Sequence, residues 1–368
     1  MVGVRIIARM PFDERDFADV PPSEKAANRR SRLMVAAWLF GLTFMILVMV
    51  VLGGVTRLTG SGLSIMEWAP ISGVLPPLNE ADWRHLFDLY KQIPQYNLVN
   101  EGFGLAGFKQ IFWLEWIHRL WGRLIGIALI GPLVWFWVTG RIHRRLVPRL
   151  ILLFGLGGLQ GAVGWFMVAS GFLPDTTAVS PARLVVHLVL ALVLYAAVLW
   201  TGLDVLQPVP VALSHGRAAR RLATLACTLV VLTIVAGGFV AGTHAGFDYN
   251  TFPLMAGEWV PHDYARLSPV LRNLTENIAA VQFDHRLLAT LTALACLTLV
   301  AVIVTARSLR PIRGPAFTLG GAVLVQYALG VTTLLLVVPV GFAAAHQAMA
   351  VLVLTAILVV LHGLRGAK

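Results

Sequence analysis

The sequence predicts an all-α integral membrane protein, with eight transmembrane helices arranged as two four-helix bundles related by a pseudo-twofold axis. Three observations predict it. Of 368 residues, 58% are hydrophobic and 13% charged, and the mean hydropathy is +0.78, unlike a soluble globular chain. Apolar runs of about 20 residues, each long enough to cross a hydrocarbon core of roughly 30 Å, recur along the chain. Finally, the second half repeats the first. Gly53-Gly54 followed by Thr59-Gly60-Ser61-Gly62-Leu63 matches Gly237-Gly238 followed by Thr243-His244-Ala245-Gly246-Phe247. Gln160 and Gly164 match Gln326 and Gly330, and His187 matches His346. Four spans per half, an even number, make the repeats parallel rather than inverted.

In chain order, residues 1–33 are of mixed charge and end in Arg29, Arg30 and Arg32. They read as a loosely ordered cytoplasmic tail, too polar and too long before the first apolar run for a cleaved signal peptide. The spans are expected over 34–55, 116–138, 150–168, 183–202, 222–241, 283–306, 316–338 and 341–364. A long polar segment, 57–115, carries Pro76, Pro77, Pro94 and the acids Glu67, Glu80, Asp82, Asp88 and Glu101. A second, 242–282, carries Pro253, Pro261 and Pro269. The halves are 34–203 and 222–368, joined by a linker at 204–221 rich in Pro, Ser and Arg.

The net charge of +11 lies in short connectors between apolar runs, notably Arg141, Arg144, Arg145 and Arg149, and Arg307, Arg310 and Arg313. That is a pattern of membrane orientation and not a nucleic-acid footprint. The positive-inside rule places both termini in the cytoplasm and the two long loops outside, in a multi-pass protein of the inner (cell) membrane. The two cysteines, Cys227 and Cys296, sit inside apolar runs. They read as free packed thiols and not as a disulfide or metal framework.

The chemistry concentrates in histidines. Glu115-Trp116-Ile117-His118-Arg119 opens one apolar run, and Gln282-Phe283-Asp284-His285-Arg286 opens its counterpart. An ionisable side chain inside a membrane span is costly and marks function by default. His118, His187, His285 and His346 each fall within the first turn or so of a span running from outside to inside, so all four are expected at one depth. Paired helices of a bundle can aim two neutral imidazoles at one iron. The pairs His118 with His187 and His285 with His346 therefore suggest two haems, one per half. Zinc is the weaker alternative, because Cys or carboxylate partners are missing. His85, His244 and His262 in the outer loops, and His143, His215 and His362 near the inner surface, read as incidental.

Arg119 and Arg286 can pair with haem propionates, or snorkel to the interface as basic residues near span ends do. The pairs Gly53-Gly54 and Gly237-Gly238 permit close approach of a helix or of a flat macrocycle. Glu115 lies three residues before His118, where the second half has the neutral Gln282. A carboxylate there can stabilise positive charge at a haem edge or take a proton, or it can be a helix-terminus charge favoured by the dipole. On the first reading the first half is reactive and the second transfers electrons.

These residues resemble the haem A synthase family. The resemblance rests on Gly53-Gly54-Val55-Thr56-Arg57-Leu58-Thr59, Ser61-Gly62-Leu63-Ser64, Glu115-Trp116-Ile117-His118-Arg119 and Trp121-Gly122-Arg123. In the second half it rests on residues 245–253 and on Val281-Gln282-Phe283-Asp284-His285-Arg286. It spans about residues 35 to 365 and implies oxidation of haem O to haem A for terminal oxidase assembly. In that reaction a ring methyl becomes a formyl group by successive hydroxylations, with oxygen from water. The resemblance further implies haem b held by His285 and His346, haem O and its product haem A at His118 and His187, and Glu115 as the acid required in that half. Implied partners are haem O, a haem O synthase that supplies it and an electron acceptor, and a homo-oligomer is compatible. The cysteine pair that some members carry in the first outer loop is missing here, as in the longer type, so no thiol step is expected.

Two other classes stand beside this one. A di-haem membrane cytochrome that only moves electrons, to or from quinone, would share the four ligands but needs no acid in one half alone. A transporter with midplane polar sites fits poorly, since the histidines gather near one face.

Overall fold

The computed structural model describes residues 22–69, 72–214 and 216–367. Residues 1–21 of the expected tail and His215 lie outside the described residues. Among the described residues eight helices are long and apolar enough to cross a membrane. They are α1 (Pro22–Leu58), α2 (Leu105–Val138), α3 (Val147–Val168), α4 (Pro181–Leu206), α5 (Arg217–Gly242), α6 (Ile278–Thr305), α7 (Arg313–Leu335) and α8 (Val340–Gly363). Residues 22–33, expected to be loosely ordered, instead continue α1, where Lys25, Ala26, Ala27, Arg29, Arg30 and Arg32 are residue types that favour helix.

The second span also begins earlier than expected. Phe108, Ile111, Phe112 and Glu115 are buried at helical spacing, so α2 extends eleven residues beyond Trp116 into the segment read as polar loop. Short helices Glu80–Tyr90 and Pro94–Leu98 pack on that extension. Trp83 packs edge-on against Phe112 at 4.8 Å, and Tyr90 lies 5.4 Å from Phe108. The phenol of Tyr90 is buried in this cluster, which pushes its pKa above the ordinary value. Gln95 then ties the cluster to the end of α1 through a bond to the Gly60 carbonyl, 3.0 Å.

Pro132 stands inside α2 and cannot donate to the Ala128 carbonyl one turn back. An unpaired carbonyl in hydrocarbon is costly. The Trp38 indole of α1 donates to that carbonyl at 2.7 Å, so the break is repaired by the neighbouring helix.

The two sets of four helices meet along α1 with α8 and α4 with α5, the pairs that a twofold axis exchanges. Gln347 Nε2 donates to the Val50 carbonyl at 2.7 Å. Tyr195 and Thr355 share a hydroxyl bond of 2.6 Å, and His362 Nε2 meets Asp204 Oδ1 at 3.0 Å. The buried apolar core fills the side of the Arg-rich connectors: Leu39, Leu150, Tyr195, Ile303, Leu319 and Ile357 are wholly enclosed. It stops short of the long-loop side. In α2 no buried apolar residue lies between Phe112 and Leu129, in α8 none precedes Val351, and in α7 none follows Val323. The four histidines lie in that less filled layer.

Candidate functional site

Each histidine is seated against a glycine of the preceding helix. A Cβ placed on Gly53 of α1 would lie 2.9 Å from His118 Cε1, and one on Gly164 of α3 would lie 2.9 Å from His187 Cε1. In the second half the distances are 3.0 Å from Gly237 of α5 to His285 and 2.8 Å from Gly330 of α7 to His346. Side chains do not tolerate such distances, so only glycine leaves room for the rings. The four glycines lie four or five residues from the long-loop ends of their helices, about 6–7.5 Å along the axis. The expectation of a common depth therefore holds. The expectation that each histidine falls within the first turn or so of its span does not: His118 is thirteen residues into α2, His285 seven into α6, and His187 and His346 six into theirs.

The rings of His285 and His346 have centroids 6.5 Å apart and stand nearly perpendicular, their planes at 88°. That separation suits two imidazoles on opposite sides of one metal, each with a nitrogen–metal bond of about 2.0–2.1 Å. His285 Nδ1 lies 3.1 Å from the Thr233 carbonyl, which can only accept, so Nδ1 carries the proton and Nε2 keeps its lone pair. In the first half Gln160 Nε2 lies 3.2 and 3.3 Å from the two ring nitrogens of His187 and donates to its carbonyl at 3.1 Å. Gln326, its counterpart, reaches His346 Nε2 at 3.5 Å. The Nδ1 atoms of His118 and His346 are buried without a hydrogen-bond partner. Among the described residues no three His, Cys, Asp or Glu side chains converge as a bare-ion site would require. The paired imidazoles of the second half, in a layer short of core side chains, fit an iron that brings its own planar ring of donors, and the first half repeats their seating on glycine.

Above this layer sit two matched clamps. Glu115 is 3% exposed, and its Oε2 accepts from Ser64 N (2.7 Å), Ser64 Oγ (2.7 Å) and Ile65 N (2.9 Å). Its Oε1 accepts from Arg119 Nη2 (2.6 Å) and Nε (3.1 Å). Gln282, 2% exposed, holds the corresponding loop with reversed polarity, its Nε2 donating to the carbonyls of Ala245 (2.6 Å) and Asp248 (2.5 Å). Its Oε1 accepts from Arg286 Nη2 at 2.7 Å. The first loop presents N–H groups and the second presents carbonyls, so acid and amide each match the backbone they face. Both arginines also bind the loops: Arg119 reaches the Ile65 and Glu67 carbonyls at 2.7 and 2.8 Å, and Arg286 those of Tyr249 and Thr251 at 2.6 and 2.8 Å.

A family model described as COX15-CtaA, cytochrome oxidase assembly protein, matches residues 36–358. The chain belongs to that family. Among its relatives is the Heme A synthase of Granulibacter bethesdensis, 61% identical over 340 residues, which cover 92% of this chain and 90% of that protein. Heme A synthase 2 of Acidiphilium cryptum is 49% identical over 348 residues, 93% and 94% of the two chains. The Heme A synthase of Rhodospirillum centenum is 49% identical over 345 residues, 94% and 91%.

For a COX15-CtaA family member, the glycine pairs have a further role that single residues did not disclose. The first glycine of each pair seats a histidine of its own half, and the second receives a helix of the other half. A Cβ on Gly54 would collide with Gln347, the residue after His346, and one on Gly238 would lie 3.1 Å from Leu188, the residue after His187. Sequence reasoning passed over Thr233, and named Ser64 and Gly164 only within motif and repeat matches, without a role. The only available signal was the repeat match that already paired Gly164 with Gly330. His362, read as incidental, is 2% exposed and joins Asp204 to the Arg365 guanidinium, 2.8 Å from its Nδ1. With Arg149 on Asp204 at 3.0 Å, it closes the Arg-rich side of the molecule, away from the layer of the four histidines.

Proposed function

We propose that this chain is a haem A synthase, an integral membrane oxidoreductase that oxidises haem O to haem A for cytochrome oxidase assembly. The observation that carries the reading is the fourfold seating of histidine on glycine, two per half, in a chain 61% identical to a protein of that name. His285 and His346 hold haem b, and His118 and His187 hold haem O and then haem A. Bound there, the iron porphyrin would supply the redox chemistry for oxidation of a ring methyl to formyl by successive hydroxylations, with oxygen from water. Methyl plus one water becomes formyl with loss of four electrons and four protons, so an electron acceptor is a necessary partner, as is a haem O synthase that supplies the substrate.

The protein's own groups orient and hold. Gly53 and Gly164 fix the planes of the first pair of imidazoles. Glu115 supplies a fixed negative charge one turn from His118; because every group that touches its oxygens is a donor, it acts by charge more than by taking a proton. Arg119 and Arg286 brace the loops that cover each haem and add positive charge on the side where carboxylates would lie. The Arg-rich connectors and both termini face the cytoplasm, and the long loops face outward across the inner membrane. A di-haem cytochrome that only carries electrons would share the four histidines but needs no acid in one half alone.

Haem extraction and chromatography from purified protein test this. His285→Ala or His346→Ala should lose a resident haem b. His118→Ala or His187→Ala should keep it but form no haem A. One unchanged spectrum and haem A yield across all four would refute the ligand assignment.

A further inference from the structure

Arg119 and Arg286 spend guanidinium N–H groups on loop carbonyls and on their clamp partners. A third cation is placed differently. Arg57 stands in the last turn of α1, and its Nη2 is buried without a hydrogen-bond partner. A buried donor left unpaired is costly and calls for an explanation.

Its place on the helix supplies one. Arg57 follows Gly53, the seat of His118, by four residues. At 3.6 residues and 5.4 Å per turn, it lies about 6 Å nearer the long-loop side and about 40° around the axis from Gly53. It is about 60° from Gly54, which faces the other half, so its direction is nearer that of the histidine seat. Its charge also reaches His244 of the second-half loop, whose pKa is held below the ordinary value by burial first and by Arg57 second, so the guanidinium stands where the two halves meet. The repeat puts Ala241 at the equivalent place, four residues after Gly237. Only the first half therefore carries this cation.

We propose that Arg57 is the anion-binding residue of the first-half site, taking a carboxylate of the bound tetrapyrrole through its free guanidinium edge. The proposal rests on the two-haem reading above. A haem carries two propionate carboxylates, and a planar guanidinium meets a carboxylate with two parallel hydrogen bonds, the strongest common form of such contact. The anion would satisfy Nη2 and set the acidic edge of the substrate toward the long loops, one turn outward of its iron ligand.

The test is a titration of purified full-length protein with ferric protoporphyrin IX and, separately, with its dimethyl ester, which lacks the anions. Uptake is followed by the Soret difference spectrum in wild type, Arg57→Gln and Arg57→Lys. Wild type should favour the free acid by about tenfold or more, the size of a hydrogen bond between charged groups. In Arg57→Gln the preference should fall to within about twofold, with Arg57→Lys between, since an ammonium keeps charge without the fork. Resident haem, measured by extraction, should stay at the wild-type level in both variants. If Arg57→Gln does not fold, loss of part of the preference in Arg57→Lys decides the matter alone. A wild-type preference retained in the variants overturns the proposal, as does wild type with no preference. Loss of resident haem with an unchanged titration overturns the assignment to the first half. Failure of wild type to take up either porphyrin would instead bring down the two-site reading, and this proposal with it.

Discussion

The clamps allow a sharp prediction, because Glu115 and Gln282 face backbone groups of opposite polarity. Consider Glu115→Gln. The carboxylate accepts from three donors on the loop and two on Arg119, whereas an amide has only one oxygen. With that oxygen toward Ser64 and Ile65, its NH2 group confronts the guanidinium; turned over, it confronts the loop donors. The first arrangement loses the charge-assisted pair with Arg119, worth about 1.5–3 kcal/mol, and leaves buried donors unmet. The three loop bonds also weaken, neutral bonds being roughly half as strong as charged ones. A total near 3 kcal/mol corresponds to about a hundredfold shift in the opening of loop 61–65. Hydrogen exchange should then show the Ser64 and Ile65 amides exchanging about a hundredfold faster than wild type. Gln282→Glu is the mirror case: a carboxylate set against the Ala245 and Asp248 carbonyls has no donor to meet, so loop 245–248 should loosen at least as much. Haem A yield, read in the same Glu115→Gln preparations, should fall by roughly 10²–10³ if the charge also serves the reaction. Unchanged exchange at Ser64 and Ile65 would refute the polarity match. Lost protection with wild-type yield would reduce Glu115 to a clamp.

The remaining predictions follow from packing. Gly164→Ala should displace His187, and Gly330→Ala His346, because each new Cβ would lie under 3.0 Å from a ring carbon; overpacking of this kind costs about 1–3 kcal/mol. Each should lower haem content in its own half, while Gly161→Ala, with open space around its Cβ, should not. Trp38→Phe strips the Ala128 carbonyl of its donor and should cost about 1–3 kcal/mol in thermal stability. Restoring a backbone N–H with Pro132→Ala in the same chain should recover much of that, and failure to do so would mean that the indole acts by packing.

Hydrophobic length, charge asymmetry and internal repeat are local or composition-level signals; the first sufficed for the eight spans, and the repeat singled out four histidines at matching positions. No knowledge of contacts was needed to see that an imidazole in an apolar run is expensive and that four at matching positions are not accidental. The extension of α2 to Leu105 was lost to the same approach, because Phe108, Ile111 and Phe112 become a buried stripe only when Trp83 and Tyr90 fold back onto them. The Glu115 and Gln282 difference was legible as a difference of charge, but its partners were not: whether a loop turns N–H groups or carbonyls toward a side chain is set by its backbone path. Likewise a glycine in a membrane helix shows nothing of what approaches it. Gly53 and Gly54 are neighbours in the chain, yet 100° of helical rotation sends one to His118 and the other to the opposite half. That division of labour, and the unpartnered edge of Arg57 beside it, exist only once four helices have met.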